Sequence, residues 1–141
     1  MTEYRKAFDE WNLVKKNIDS KKTDSEKVPS KESFARAGEI RWVVLGVNVG
    51  SEMDAVGPSF NRPCVVVDCF SDRLALVFPL TTKVKNIPGY VPFEFEDGRK
   101  GSVCVHQARV ISPKRFLKRM TTISDEKLKH LKNEYKKFYR L

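Results

Sequence analysis

The chain has 141 residues, 40% of them hydrophobic and 32% charged, with a net charge of +9. This suits one domain with one modest core, and no apolar run reaches the length of a transmembrane helix. Three cysteines, an odd number with no CxxC pair, argue against both a disulfide framework and a zinc site.

Cys64, Cys69 and Cys104 lie in apolar, strand-like runs and read as small buried residues of a reduced, cytoplasmic protein. The opening MTEYRKAFDEW has no apolar centre for a signal peptide. The charge is uneven: +2 over residues 1–37, zero over 38–112 and +7 over 113–141. A lysine-rich tail is commonly a solvated helix face. It also adds to a field that would attract RNA or an acidic protein segment.

In chain order, residues 3–18 are predicted to be helical, because Tyr4, Phe8, Trp11, Val14 and Ile18 form one apolar stripe. Docking on its own domain is the default for such a stripe. Residues 19–33 are polar, contain Pro29 and read as a linker. Residues 1–37 thus form a helix and linker, and the compact part is residues 38–141. GEIRWVVLG reads as a first strand with Ile40, Trp42 and Val44 on one face. The loop of about fifteen residues after it has the length of a functional lid.

Residues 62–70 and 74–80 then read as two strands joined by a turn at Ser71-Asp72-Arg73. Pro63 lacks an N–H and belongs at the start of its strand, with Arg62 at the rim. The hairpin returns Thr81 to the neighbourhood of Arg62. A cation and a hydroxyl at the mouth of an apolar sheet suit a phosphate. From spacing alone, Arg62 also fits a rim salt bridge with Glu52 or Asp54.

Beyond Thr82 a loop carries Lys83 and Lys85. VPFEFE alternates, with Val91, Phe93 and Phe95 facing one way, and DGRKG marks a turn. SVCVHQARVIS reads as one last strand, with Ser102, Cys104 and His106 on the face opposite Val103 and Val105. Ser112-Pro113 signals a helix start, so PKRFLKRM is predicted as a short helix. Ser124 caps a final helix with the stripe Leu128, Leu131, Tyr135, Phe138. The expected fold is mostly β with terminal helices (α+β): five or six short strands in a small barrel.

Six pieces in order carry a family resemblance: GEIRWVVLG, GVNVGSE, NRPCVVV, LVFPLTTK, a short hairpin, and HQARVISPKRF. Over residues 38–116 the chain resembles the MazF/PemK (Kid) toxins of type II toxin–antitoxin systems. The resemblance implies an SH3-like barrel, usually a homodimer, that cuts single-stranded RNA without metal or other cofactor. It also implies an antitoxin whose disordered tail blocks the RNA groove. By position, Arg62 matches the family's catalytic arginine, Thr81 its active-site threonine and Ser51 the serine of its lid. His106 is a departure, standing where some relatives carry an acidic residue.

The residue chemistry agrees with that implication. Metal-free RNA cleavage uses the substrate's 2′-OH as nucleophile and needs proton transfer and groups that hold the phosphate. Arg62 can grip a phosphate bidentately. Thr81 and Ser51 can donate to its oxygens, and histidine titrates near neutrality. Arg62, Thr81 and His106 are therefore the candidate catalytic residues. Ser51, Thr82, Lys83, Lys85 and Gln107 are the candidate substrate contacts. The expected partners are single-stranded RNA and an acidic antitoxin, with no membrane. Two alternatives share the barrel: a CcdB-like gyrase inhibitor and an RNA-binding protein without activity.

Overall fold

The structure, a computed structural model, describes residues 6–21, 35–55 and 60–141. Most of the 19–33 linker and the helix start expected at residue 3 lie outside these. Helix α1 spans Phe8–Asp19, and α2 spans Asp125–Tyr139. Between them run β1 (Glu39–Val44), β2 (Asn61–Cys69), β3 (Ala75–Thr81), β4 (Tyr90–Glu94), β5 (Lys100–Cys104), β6 (Arg109–Ile111) and β7 (Phe116–Thr122). The strands form one antiparallel sheet in the order β4-β5-β3-β2-β1-β7, with β6 also on β3. The expected class holds, mostly β with two helices (α+β). The sheet has seven strands rather than five or six, and its ladder does not close: β4 and β7 are its ends.

The central hairpin forms because both its strands are apolar and its turn is polar. Phe70 N–H donates to the Leu74 carbonyl at 3.0 Å, and Ser71 Oγ accepts from Arg73 N–H. Cys64 pairs with Pro79, so the same register carried two residues further sets Arg62 opposite Thr81. In β4 the alternation is as expected, with Val91 and Phe93 buried and Pro92 and Glu94 exposed.

Two sequence expectations fail locally. PKRFLKRM is not a helix. Ser112 does cap a 3-10 turn at Pro113–Arg115, accepting from Lys114 N–H. The chain then extends as β7 and pairs with the free edge of β1. That ladder satisfies backbone groups of β1, which outweighs the weak local helix preference. Nor is SVCVHQARVIS one strand. Leu80 pairs with Val103, so an unbroken ladder would set Val77 against His106. Val77 instead pairs with Arg109, three residues later. Those three residues form the 3-10 turn Val105–Gln107, which lifts His106 off the strand face it was expected to share with Ser102 and Cys104.

Strand β1 alternates weakly because both its faces are covered. Ile40 belongs to the main core with Val65, Phe78, Leu80 and Val103, which α2 closes with Leu128 and Leu131. Val43 and Leu45 pack with Cys64, Val77 and Ile111. Val44 and Val47 lie under α1, against Trp11, Ile18 and Phe60. Trp42, expected on the same face as Ile40 and Val44, is only half-buried. The N-terminal helix therefore docks on its own sheet. Trp11 is its anchor, since an aromatic side chain buries roughly 150–250 Å², worth up to about 4–6 kcal/mol at about 25 cal/mol per Å². Among the described residues no helix is long and apolar enough to cross a membrane.

Candidate active site at the mouth of the central hairpin

Arg62 is the second residue of β2, and its side chain is fixed from two directions. Its Nε donates to the Asp54 carbonyl at 2.9 Å, and its Nη1 donates to the Leu80 carbonyl at 3.0 Å. Both acceptors are neutral, and no described carboxylate forms an ion pair with Arg62. The alternative of a rim salt bridge fails for both acids. Asp54 gives its carboxylate to Lys6 and the Asn48 N–H, and Glu52 accepts from the Val49 N–H. Arg62 is thus oriented without being neutralised, and two carbonyl acceptors do not exhaust the five N–H groups of a guanidinium.

Two further arginines of the chain are likewise held by main-chain carbonyls. Arg109 donates to the Leu45 carbonyl at 3.4 Å, and Arg115 to the Val44 carbonyl at 3.0 Å. Burial, and secondarily the charge of Arg109, lowers the pKa of Arg115. Two buried thiols sense this field. Burial pushes Cys64 far up against the opposing pull of Arg62 and Arg109. Burial likewise pushes Cys104 up to about 11, against Arg62 and Lys85. All three cysteines are free. Arg109 and Arg115 belong to the quoted HQARVISPKRF segment but are absent from the expected site; their arginine-rich spacing was the available signal.

Thr81 closes β3, and its Oγ1 accepts from the Lys83 N–H at 3.3 Å, leaving the hydroxyl proton to donate elsewhere. Thr82, Lys83 and Lys85 are exposed. The Lys83 carbonyl is tied down by Ser102 Oγ at 2.9 Å. Arg62 and Thr81 therefore stand at the same end of neighbouring strands, joined through the Leu80 carbonyl.

Ser51 and Gln107 meet, but through the loop's backbone. Gln107 Nε2 donates to the Ser51 carbonyl at 3.1 Å, and its Oε1 accepts from the Met53 N–H at 3.1 Å. Both polar ends of Gln107 thus hold the loop, while the Ser51 side chain is exposed. Between the loop and the Val105–Gln107 turn lies a cavity of about 150 Å³, lined by Asn48, Met53, Pro79, Gln107 and Arg109 among others.

His106 is placed differently. Its Nδ1 lies 3.0 Å from the Gly89 carbonyl. Its ring packs between Tyr90, at 4.7 Å, and Phe138, at 5.9 Å. Lys85 lies over the Tyr90 ring at 5.2 Å, and Tyr139 Oη donates to the His106 carbonyl at 2.6 Å. Gly89 has φ +96, and a Cβ there would stand 2.6 Å from His106 Nδ1, so this seat needs a glycine. Among the described contacts of His106, none reaches Arg62 or Thr81. The Gly89 contact assigns the proton to Nδ1 and leaves Nε2 for chemistry. Among the described residues no three His, Cys, Asp or Glu side chains are grouped to hold a metal ion.

No curated protein matches the chain by sequence. Several solved structures share its fold. MazF from Deinococcus radiodurans superposes with a TM-score of 0.62 at 18% identity, over 76% of this chain and 97% of that one. An endoribonuclease in complex with its cognate antitoxin from a mycobacterial species gives 0.58 at 13% identity, over 77% and 97%. The Mycobacterium tuberculosis toxin MazF-mt6 gives 0.55 at 14% identity, over 73% and 97%. At these identities the likeness establishes the fold alone. The sequence establishes more: residues 36–139 match the family model of PemK-like, MazF-like toxins of type II toxin–antitoxin systems, and the chain belongs to that family.

Proposed function

We propose that this protein is an endoribonuclease toxin that cuts single-stranded RNA without a metal and is neutralised by an acidic antitoxin. The observation that carries the reading is Arg62: a guanidinium at the sheet mouth, held by two carbonyls with no described carboxylate paired to it, at the strand end that also carries Thr81. The 2′-oxygen of the substrate attacks phosphorus as its proton passes to solvent water. The P–O5′ bond breaks, and the departing oxygen takes a proton. The products are a 2′,3′-cyclic phosphate and a 5′-hydroxyl. Arg62 holds the phosphate and stabilises its growing charge, while Thr81 and Ser51 donate to its oxygens. Thr82, Lys83 and Lys85 line the exposed approach. His106, with Nδ1–H fixed on Gly89, acts in its imidazolium form, and Nε2–H protonates the leaving 5′-oxygen.

The family places an antitoxin opposite this chain, and the mycobacterial relative was solved with its own. The +9 charge favours an acidic segment, whose binding weakens as salt rises. A homodimer acting in the cytoplasm completes the reading. One observation favours a second one, an RNA-binding protein without activity. The His106 ring packs against Tyr90 and Phe138, so a histidine in place of the acidic residue of some relatives fits a packing role as well.

A single experiment tests both. Pure protein is incubated with a long RNA in EDTA, and the cut ends are mapped. Cyclic phosphate ends at defined sequences are expected. Cleavage that needs added magnesium, or cleavage of a strand with 2′-deoxyribose at the scissile nucleotide, overturns the mechanism. Binding without cleavage selects the second reading.

A further inference from the structure

We propose that Lys6 and α1, which lie outside the span of the family match, are a brace that positions Arg62. Lys6 and α1 reach the arginine through Asp54. The Lys6 ammonium donates to the Asn48 and Gly50 carbonyls and pairs with the Asp54 carboxylate at 3.0 Å. Both partners of the pair are largely buried, at 14% side-chain exposure each. An ammonium has three N–H groups, so this one is fully engaged.

Asp54 turns that grip toward the site. Its Oδ1 accepts from the Asn48 N–H at 2.6 Å, which folds the loop into a closed turn. Its backbone carbonyl accepts from Arg62 Nε at 2.9 Å. The residue that Lys6 fixes by its side chain is therefore the residue that orients Arg62 by its main chain. Gln107 secures the far side of the same loop through Ser51 and Met53. Lys6 and Gln107 hold opposite flanks, and Arg62 reads the result.

The helix is seated so that the brace cannot slide. Gly46 has φ +71, and a Cβ on it would stand 2.0 Å from the Trp11 ring. The indole thus lies directly on the main chain where the loop begins. Arg115 stacks on Trp11 from another side at 5.7 Å, and Lys114 Nζ donates to the Asp19 carbonyl at 2.8 Å. Both ends of α1 are fastened, one to the loop and one to the turn before β7.

The inference rests on Arg62 being the phosphate-holding group, so its test includes a readout that needs no substrate. Lys6→Met, Lys6→Arg and the parent chain are compared in full length. The first measurement is hydrogen exchange of the Arg62 Nε–H by NMR, its signal assigned by its loss in Arg62→Lys. The second is kcat and KM on a short fluorogenic RNA. For Lys6→Met, exchange should speed up about tenfold and kcat should fall about tenfold, with KM within about twofold. Displacement of a positioned group costs rate before affinity. Lys6→Arg should restore most of both. Should Lys6→Met not fold, Asp54→Asn weakens the same link and takes the same measurements. Unchanged exchange at Arg62 Nε in a folded variant overturns the brace. If the parent chain cuts no RNA, the functional reading falls and the exchange rates still decide the brace.

Discussion

Two of the three candidate catalytic side chains, Arg62 and His106, are held by different means. Arg62 is fixed by main chain: the carbonyls of Asp54 and Leu80, set by strand register and a loop turn. His106 has one main-chain anchor, the Gly89 carbonyl, and is otherwise fixed by side chains: a ring column of Tyr90 and Phe138, with Tyr139 bonded to its carbonyl from α2. The first arrangement leaves a charge unpaired among carbonyls. The second leaves one ring nitrogen and depends on a helix whose contacting residues lie more than thirty positions away. A group fixed by register survives substitutions around it. A group fixed by a distant helix moves when that helix does.

The largest expected effect is at the main-chain-held site. Arg62→Ala should lower RNA cleavage about 10²–10³-fold with the fold intact, the usual worth of one preformed donor to a developing charge. Arg62→Lys should recover little, because an ammonium cannot span two phosphate oxygens in the plane of a guanidinium. A folded Arg62→Ala protein cutting at the parent rate would make Arg62 a structural residue.

His106→Ala should follow, at about 10²-fold on ordinary RNA, the lower range for a positioned acid. The discriminating substrate has sulfur in place of the bridging 5′-oxygen, since thiolate departs without a proton. On it, His106→Ala should approach the parent rate. A variant crippled on both substrates would leave His106 as a base or a packing residue.

How far the sequence reveals these two sites follows the same division. The hairpin was legible, because apolar runs around a polar turn return the end of β3 to the neighbourhood of Arg62; a bulge between Val66 and Asp68, which no local pattern marks, shifts the register by one residue and sets Arg62 against Thr81 rather than Thr82. The alternation of VPFEFE and the capped stripe of α2 were legible for the same reason: each is a local period. The displacement of His106 was not. V-C-V-H continues a strand pattern without a break, and only the pairing of Val77 with Arg109 shows three residues pushed out. Strand β7 was hidden because its extended form is rewarded by the edge of β1, far away in sequence. The Lys6–Asp54 pair spans 48 positions, and nothing local marks either residue.

Smaller effects probe the helix-held site alone. Tyr139→Phe removes one hydrogen bond to the His106 carbonyl at a half-exposed position, which is worth about 0.5–1.5 kcal/mol. A modest fall in thermal stability is expected, with a few-fold loss of cleavage on ordinary RNA and none on the 5′-sulfur substrate. An equal loss on both would mean that α2 supports the whole sheet mouth rather than His106.

The smallest effect reads the charge at the mouth through the thiols beneath it. Burial raises Cys104 from an ordinary value of 9.0 to about 11, while Arg62 and Lys85 pull it down. A raised folded-state pKa means that the folded chain keeps its proton where the unfolded chain has lost it. The stability linked to this thiol is therefore whole below pH 9 and is lost as pH rises toward 11. Cys64 acts in the same direction and feels Arg62 and Arg109. Urea unfolding from pH 8 to 11 should show a decline that starts near 9, and Cys104→Ala should lessen it. Arg62→Ala removes a charge that favours the thiolate, so the folded thiols hold their protons longer and the decline should continue to higher pH. His106→Ala removes no charge named in either thiol's environment and should leave the alkaline limb in place. A shift of that limb by His106→Ala would mean that the two sites share one field and that their separation in this molecule is only steric, whereas none by Arg62→Ala would mean that the thiols do not sense the charge at the mouth.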